Sequence, residues 1–464
     1  MRSMDAHAAF KGKKITVMGL GLLGGVGDIA FLAESGADLI VTDLKSEADA
    51  APSLEALKQF SNVRYTLGRH ELADFRGRDL IIKAPSTPAD SPYIAEARKE
   101  GTPIAMWAAL FAGFARETGA TVVGVTGTRG KTTVTEMIVA ILRAAGKPVI
   151  QGGNIRGTAL LPRVRELTSG TIVVLELDSW KLQGFGEAHI SPHVAVFTTL
   201  LDDHLNYYHG DRSAYLADKA NIFLYQTPSD ALILGRQCAA TIIEKYGDKI
   251  DAQIAVADET KLPDTWALKI PGQHNRYDAA LALAAARAAL SLQTPGVGNS
   301  DLTPGVGGLD DKVAKSALEA FAGVPGRLQF VREVDGVKVY NDTTATTPDA
   351  TLAALRALNV GFTKPNIILI MGGADKELDM NKLLYEIPNY TKRVILLAGT
   401  GTEKVRESLP GVPVFDSLAE AVEEAFARAV PGDTILFSPA FASFGMFKNE
   451  YDRGDQFDAL VAAR

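Results

Sequence analysis

The sequence predicts an α/β protein with parallel sheets, divided into three domains. Short runs of Val, Ile and Leu alternate with helical segments along most of the chain, which is typical of parallel strands covered by helices on both faces. The chain has 464 residues, and at roughly 150 residues per domain this length corresponds to about three domains. A glycine-rich turn follows the strand pattern at two places, near 19–24 and 127–130. Such turns favour phosphate-binding α/β domains.

The apolar runs define the predicted strands, and the helical segments lie between them. Strands are predicted at 14–20, 38–43, 79–85, 121–128, 171–177, 194–200, 366–373, 393–399 and 433–440. Helices are predicted at 26–35, 103–115 and 134–145. The helix at 103–115 has the sequence PIAMWAALFAGFA, which is shorter than the roughly 18 residues of a membrane span, so we expect it to be buried in the protein.

Two stretches interrupt the pattern and predict the domain boundaries. Around 116–120 the chain leaves a helix and begins a new strand, loop and helix. At 291–308, SLQTPGVGNSDLTPGVGG contains too many Gly and Pro residues for a helix, and we interpret its doubled TPGVG as a loop. The predicted domains are therefore 1–118, 119–322 and 323–464.

The composition excludes several classes of protein. The net charge is −7 and the pI is about 5.6, which argues against a general nucleic-acid binder because such proteins need a basic surface. The single cysteine, Cys238, excludes an internal disulfide framework. The N-terminal segment lacks the apolar region of a secretory signal. We expect a cytoplasmic protein, a monomer, that acts on small molecules without contacting a membrane.

The segment TVVGVTGTRGKTT at 121–133 predicts a phosphate-binding loop. A strand is followed by a glycine turn, and Lys131 and Thr132 begin the next helix. Backbone N–H groups of such a turn point at phosphate oxygens, the lysine supplies a positive charge, and the threonine hydroxyl can bind Mg²⁺. Only the shorter pattern GxxGKT is present, because Val125 stands where a strict Walker A motif has glycine.

Polar residues follow the next predicted strands. VVLELDSW places Glu176 at the C-terminal end of an apolar strand, where ligands of parallel sheets bind, and Asp178 follows it. Further along, His204 follows a strand and Lys219 lies on the next predicted helix. By residue type alone, a single histidine and a single lysine are ordinary surface residues, so their role stays open at this point.

A series of motifs runs along the chain. They are GLGLLG at 19–24, GTRGKTT at 127–133, GGNI at 152–155, LELDSWKL at 175–182, DDH at 202–204, YLADK at 215–219, PGQHN at 271–275, GVPGR at 323–327, NDTTATTP at 341–348, MGGADKELD at 371–379 and SPAFASFGMFKNEYDRG at 438–454. In this order they resemble the Mur ligase family, which builds the peptide stem of bacterial peptidoglycan. The resemblance covers essentially the whole chain, and the N- and C-terminal motifs are similar to those of the member that adds D-glutamate.

The resemblance implies a fold and an activity. The fold would consist of an N-terminal Rossmann-like domain that binds UDP, a central ATPase-like domain with a parallel sheet, and a C-terminal Rossmann-like domain that binds the amino acid. ATP would phosphorylate the carboxylate of UDP-N-acetylmuramoyl-L-alanine. The amine of glutamate would then attack the acyl phosphate and form an amide. The implied cofactors are ATP and Mg²⁺.

The resemblance also implies roles for individual residues. The expected catalytic residues are Lys131, Glu176, His204 and Lys219. The expected metal ligands are Thr132, Glu176, His204 and Lys219, the last as a carbamate, which would give a hard cation an oxygen ligand. The expected ATP-binding residues are Thr128, Arg129, Gly130, Lys131, Thr132, Thr133, Val134, Asn275, Arg327 and Asp342. The UDP-substrate would bind Leu22, Leu23, Asp43 and Asn154, and glutamate would bind Thr346, Lys376, Ser443 and Phe444.

Two alternatives remain. GLGLLG follows a predicted strand, and Asp43 ends the next one, as in a dinucleotide site, so the chain could be an NAD-dependent dehydrogenase. The separate phosphate-binding loop at 121–133 favours an ATP-dependent enzyme over a dehydrogenase. Within the family, L-glutamate is the alternative amino acid, because several positions depart from the usual pattern. They are Arg129, Arg156, Asp178, Trp180, Lys181, Asp278, Thr344, Gly445, Met446 and Glu450.

Overall fold

The structure, a computed structural model, describes residues 6–21, 24–85, 87–88, 90–154, 159–203, 207–293, 308–359 and 364–464. In this part of the chain the strands form three sheets whose pairings are parallel, except for one antiparallel pair at the edge of the third. The α/β class predicted from the alternating apolar runs is therefore confirmed. Among the described residues, no helix is long and apolar enough to cross a lipid bilayer.

The first sheet has the strand order β3-β2-β1-β4-β5. Its strands are β1 (Lys14–Met18), β2 (Asp38–Asp43), β3 (Val63–Leu67), β4 (Leu80–Ile82) and β5 (Ile104–Ala105). Its helices are α1 (Ala6–Phe10), α2 (Gly24–Glu34), α3 (Glu47–Leu57), α4 (Pro92–Lys99) and α5 (Trp107–Glu117). Because the strand order reverses beside β1, the glycine-rich loop after β1 lies where open α/β sheets bind ligands.

The second sheet has the order β11-β10-β9-β6-β8-β7. Its strands are β6 (Thr121–Thr126), β7 (Val149–Gly153), β8 (Ile172–Glu176), β9 (Val194–Phe197), β10 (Ala231–Gly235) and β11 (Gln253–Ala257). The helices of this region are α6 (Lys131–Ala144), α7 (Ser179–Glu187), α8 (Arg212–Ala220), α9 (Arg236–Tyr246), α10 (Gln273–Leu292) and α11 (Asp311–Ala320). Since β9, β6 and β8 are neighbours and parallel, the loops after them meet at one edge of the sheet.

The third sheet has the order β12-β13-β17-β14-β15-β16. Its strands are β12 (Gln329–Val334), β13 (Val337–Asn341), β14 (Ile367–Gly372), β15 (Thr391–Leu397), β16 (Val414–Phe415) and β17 (Thr434–Phe437). Its helices are α12 (Pro348–Leu358), α13 (Asn381–Glu386), α14 (Thr400–Arg406), α15 (Leu418–Arg428) and α16 (Glu450–Ala462). The loops after the neighbouring strands β13, β17 and β14 share one edge.

The chain divides into two compact units. One contains 1–263 and 277–318, and the other contains 264–276 and 319–464. The first unit holds two sheets that share one hydrophobic cluster, to which Phe31, Phe111 and Phe185 contribute. The division of the chain at residues 118 and 322 stays a prediction. The TPGVG repeat at 294–307 lies outside the described residues.

Two sequence predictions need correction. The helix predicted at 103–115 begins only at Trp107, because Ile104 and Ala105 pair with β4 as the edge strand β5. The strands that were not predicted, besides β5, are β3, β7, β10, β11, β12, β13 and β16. Most of them are partly exposed and lack a continuous buried run, whereas β10 is fully buried and was overlooked. Long, fully buried strands such as β6 and β14 lie where the sequence predicts them.

Candidate active site

The phosphate-type loop lies between β6 and α6, as predicted. Gly130 is the N-cap of α6 and has φ of 84°, a left-handed conformation that favours glycine. Lys131 is the first residue of the helix, and its Nζ donates to the carbonyl oxygens of Gly127 and Thr128, both at 3.1 Å. Thr132 and Thr133 follow in the first turn, and Val134 is buried. The lysine thus folds back over the loop.

The segment after β9 holds this loop in place. The Thr128 hydroxyl donates to the carbonyl of Leu201 at 3.0 Å and accepts from its amide at 2.9 Å. Thr199 Oγ1 accepts from the Arg129 amide at 2.9 Å, and the Arg129 guanidinium pairs with Asp203 at 3.3 Å. These side-chain contacts tie the phosphate-type loop to the segment after β9. His204 lies outside the described residues, directly after Asp203.

Lys219 of α8 also contacts the phosphate-type loop. Its side chain is 1% exposed, and Nζ donates to the Gly127 carbonyl at 2.9 Å and to Thr126 Oγ1 at 3.3 Å. Burial, and next the charge of Lys131, lower the pKa of Lys219 well below its usual value. A lower pKa increases the fraction of the neutral amine, which is the form that reacts with CO₂ to give a carbamate.

Glu176 ends β8 beside the loop. It is 2% exposed, Oε1 accepts from Asn154 Nδ2 at 3.4 Å, and Oε2 is buried without a hydrogen-bond partner among the described residues. A buried carboxylate oxygen without a donor is costly unless a cation binds it, so Glu176 fits a ligand of a divalent metal. Within the described ranges, however, no group of three or more His, Cys, Asp or Glu side chains is arranged to hold a metal ion.

Asp178 has a structural role that the sequence did not reveal. Its carboxylate accepts from the Lys181 amide at 2.8 Å as the N-cap of α7, and it pairs with Lys181 Nζ at 2.8 Å. Lys181 also donates to Asn154 Oδ1 at 3.2 Å. The charges nearby, chiefly that of Lys181, hold the pKa of Asp178 below its usual range despite burial. Asp178 and Lys181, which both depart from the family pattern, thus form an ion pair with each other.

Sequence reasoning did not assign Asp278 and Asp203 to the site. A Cβ on Gly130 would lie 2.5 Å from Asp278 Oδ1, so this buried carboxylate lies directly against the phosphate-type loop. Asp203 pairs with Arg129. The DDH motif at 202–204 was a signal for Asp203. Asp278 is far from the loop in the sequence, and its only signal was that it departs from the usual family pattern.

Asp43 supports the glycine-rich loop after β1. Its Oδ2 accepts from the Leu20 amide at 2.7 Å, and Oδ1 accepts from the Lys45 amide at 2.9 Å. Leu22 and Leu23 lie outside the described residues. Asn154 lies on the second sheet at the end of β7, where its amide donates to the Glu176 carbonyl at 2.8 Å.

In the second unit, Asp342 follows β13 and is buried. Its oxygens accept from the Leu328 amide at 2.9 Å and from Ser438 Oγ at 2.7 Å, and burial raises its pKa to about 7. Arg327 precedes Leu328 and is partly buried. Asn275 is buried and donates to the Pro271 carbonyl at 2.6 Å.

The predicted glutamate-binding residues come from loops after three neighbouring strands. Lys376 follows β14 and donates to Thr346 Oγ1, 3.5 Å away in the loop after β13. Ser443 and Phe444 follow β17; Ser443 is buried, whereas Phe444 is 71% exposed. The structure brings Lys376 and Thr346 together, and an isolated bridge between Ala374 and Ala442 joins their loop to that of Ser443.

These features define a class of protein. Parallel sheets, a lysine-bearing loop at a helix N-terminus and a buried acidic residue on the neighbouring strand are typical of α/β proteins that bind nucleotide phosphates. Three family descriptions match the chain: the MurD-like N-terminal domain at residues 13–106, the Mur ligase middle domain at 125–299, and the glutamate ligase domain at 326–441. Together they cover most of the sequence.

Curated relatives match over nearly the whole chain. A protein of Roseiflexus sp. named UDP-N-acetylmuramoylalanine–D-glutamate ligase is 38% identical over 97% of this chain and 98% of its own length. A Borreliella burgdorferi protein of the same name is 34% identical with the same coverage. The MurC ligase structure of Thermotoga maritima has a TM-score of 0.59 at 19% identity and covers 97% of this chain and 99% of its own, so it supports the fold.

The chain belongs to the Mur ligase family. The predicted fold class and the predicted amide ligase activity in peptidoglycan-precursor synthesis are confirmed. The dehydrogenase alternative receives no support from these comparisons. The roles of individual residues stay predictions.

Proposed function

We propose that this chain joins D-glutamate to UDP-N-acetylmuramoyl-L-alanine with ATP as the energy source. The single observation that carries the proposal is the convergence of Lys131, Lys219 and Glu176 on the loop after β6, at the edge where ligands of parallel sheets bind. The substrate assignment is supported by relatives of 38% and 34% identity that are named as D-glutamate ligases.

The reaction has two chemical steps. A carboxylate oxygen of the UDP-substrate attacks the γ-phosphorus of ATP, the bond to the β-phosphate oxygen breaks, and ADP and an acyl phosphate form. The glutamate amine then attacks the acyl carbon and loses a proton, and the C–O bond to phosphate breaks. The products are the amide and inorganic phosphate, so one carboxylate oxygen leaves with the phosphate.

The protein contributes mainly positioning and charge in the first step. Lys131 supplies a cation for the β- and γ-phosphates, and the N–H groups at the start of α6 point toward the same anion. Thr132 and Glu176 would hold one Mg²⁺, and His204 with a carbamylated Lys219 would hold a second. Both ions, when bound, would neutralise negative charge on the phosphates.

The second step requires the amino acid and the nucleotide to be held near the acyl phosphate. We assign the ATP nucleoside to Asn275, Arg327 and Asp342. We assign glutamate to Lys376, Thr346, Ser443 and Phe444, since two carboxylates call for a cation and hydroxyl donors. The domains 1–118, 119–322 and 323–464 would bind UDP, ATP and the amino acid, respectively. A monomer and a cytoplasmic location stay predictions.

Isotope transfer tests the proposed chemistry. The enzyme is incubated with ATP, D-glutamate and UDP-N-acetylmuramoyl-L-alanine labelled with ¹⁸O in its free carboxylate. We expect one ¹⁸O atom in the released phosphate, because the carboxylate oxygen becomes the bridging oxygen of the acyl phosphate. Phosphate released without the label would contradict an acyl-phosphate route.

A further inference from the structure

A buried carboxylate joins the first sheet's helices to the second sheet. Asp28, on α2, is 3% exposed, and its Oδ1 accepts from the amides of Leu160 at 2.8 Å and Leu161 at 2.7 Å. These amides begin a short 3₁₀ helix at Leu161–Glu166. Asp28 therefore supplies the acceptor that the first N–H groups of a helix lack within the helix itself.

The backbone at this contact is closely packed. A Cβ on Gly27 would lie 2.7 Å from the Cβ of Ala159, which is closer than real side chains approach. Because glycine is needed next to Asp28, helix α2 and the segment that begins at Ala159 fit together only in a narrow range of positions. The helix begins at Gly24, about one turn before Asp28, directly after the glycine-rich loop.

The same contact continues to the second sheet's edge. The side chain of Leu160 packs against Gly152 and leaves no room there for a Cβ. Two residues later, the Asn154 amide donates to the Glu176 carbonyl at 2.8 Å, and Asn154 Nδ2 donates to Glu176 Oε1 at 3.4 Å. A continuous set of contacts thus links Asp28 through Leu160 to the end of β7.

We propose that Asp28 is a positioning residue for the UDP-linked substrate. By holding Leu160 and Leu161, it fixes the start of α2 and Asn154 at the end of β7 relative to each other. The substrate must extend from one to the other to place its carboxylate beside the phosphate-type loop. This inference rests on the proposed function.

The chemistry of the contact agrees with this role. An aliphatic side chain would fill the same space without the desolvation cost of a carboxylate, but it would leave two buried amides without acceptors. The two N–H groups offset part of that cost. The role predicts that the acceptor oxygen matters and the negative charge does not, so Asp28→Asn should substitute for the native residue.

Three variants test the proposal with the full-length enzyme. In Asp28→Ala, KM for UDP-N-acetylmuramoyl-L-alanine should rise about tenfold or more while KM for ATP changes less than about twofold, because the buried amides of Leu160 and Leu161 lose their acceptor. Asp28→Asn should stay within about twofold of wild type. Asp230→Ala is the matched control, since Asp230 is also buried and accepts from the Thr227 amide at 2.7 Å. It should lower thermal stability without changing either KM.

The outcomes separate this inference from the proposed function. A wild-type KM in Asp28→Ala, or equal changes in both KM values, would overturn the positioning role while leaving the ligase activity in place. If the wild type shows no turnover, calorimetric affinity for the UDP-substrate replaces KM. If Asp28→Ala binds the UDP-substrate more weakly than wild type while Asp28→Asn and Asp230→Ala bind it equally, the positioning role is supported even though the proposed function fails. If Asp28→Ala binds as tightly as wild type, or if wild type does not bind the UDP-substrate, the positioning role is overturned. Amide exchange at Leu160 and Leu161 should accelerate in Asp28→Ala and not in Asp28→Asn.

Discussion

Lys131 and Lys219 donate to the same acceptor, the carbonyl oxygen of Gly127, at 3.1 and 2.9 Å. One lysine reaches this oxygen from the start of α6 and the other from α8, so two amines converge on a single turn of the loop. Two ammonium groups this close repel each other, and Lys219 is fully buried. Burial and the charge of Lys131 together lower the pKa of Lys219.

A neutral Lys219 amine can add to CO₂ and form a carbamate, so we predict that activity depends on this modification. Lys219→Ala should lower kcat at least about 100-fold, and a short carboxylate such as acetate should partly restore it. Lys245→Ala on α9 is the control, because this lysine is exposed. Turnover is measured with and without dissolved CO₂. Unchanged turnover in Lys219→Ala would show that the modification has no role.

Lys131 should be required for phosphoryl transfer. Lys131→Ala removes the positive charge at the loop, and we expect kcat to fall at least about 100-fold, since charge stabilisation is a main contribution to this chemistry. Arg143→Ala, at the other end of α6, provides the control for loss of a cation from the same helix. Steady-state phosphate release measures both. A Lys131 variant with the rate of the control would refute the phosphate-binding role.

Replacing Lys376 should raise KM for glutamate and leave KM for ATP unchanged. Lys376→Ala is expected to raise KM for D-glutamate about tenfold, because a carboxylate loses its cationic partner. Since Lys376 donates to Thr346 Oγ1, the double variant with Thr346→Ala should show less than the sum of the two single effects. Lys382→Ala on α13 serves as the exposed control. An increase confined to KM for ATP would place Lys376 elsewhere in the reaction.

The titration of Asp28 should appear in the pH dependence of stability. Burial raises its pKa from 3.8 to about 7, so its contribution to the free energy of unfolding is present below pH 3.8 and is lost as the pH rises through about 7. Asp28→Asn cannot ionise. The variant should match wild type near pH 4 and exceed its stability by up to ~4 kcal/mol near pH 8. Urea unfolding at several pH values measures the difference, and a constant difference would contradict the assigned pKa.

The sequence predicted most of the buried strands, although the fully buried β10 was not among them. Strands such as β6, β8 and β14 are continuous apolar runs, and the order strand, glycine turn and helix located the loop around Gly130. The edge strand β12 was missed because it lacks a continuous apolar run, and it pairs with β13 as an antiparallel hairpin. Asp335 and Gly336, which join the two strands and both have positive φ, are a local signal for such a hairpin that the prediction did not use.

The candidate site was predicted as a set of residues, and its internal contacts were not. The sequence placed Asp178 after Glu176 without giving it a role, and the structure shows it to be the N-cap of α7. Asp278 and Gly130 are far apart along the chain, so their contact depends on the packing of α10. Asp28 was overlooked for the same reason, because its two partners are main-chain amides more than 130 residues away.

The central claim is that this chain forms the amide between UDP-N-acetylmuramoyl-L-alanine and glutamate, and one assay tests it most directly. Phosphate release is measured with ATP, Mg²⁺ and the UDP-substrate, once with D-glutamate and once with L-glutamate. We predict release with D-glutamate, in step with formation of the UDP-linked dipeptide, and little with L-glutamate. Release with L-glutamate alone would reverse the assigned handedness, and no release with either enantiomer would contradict the claim.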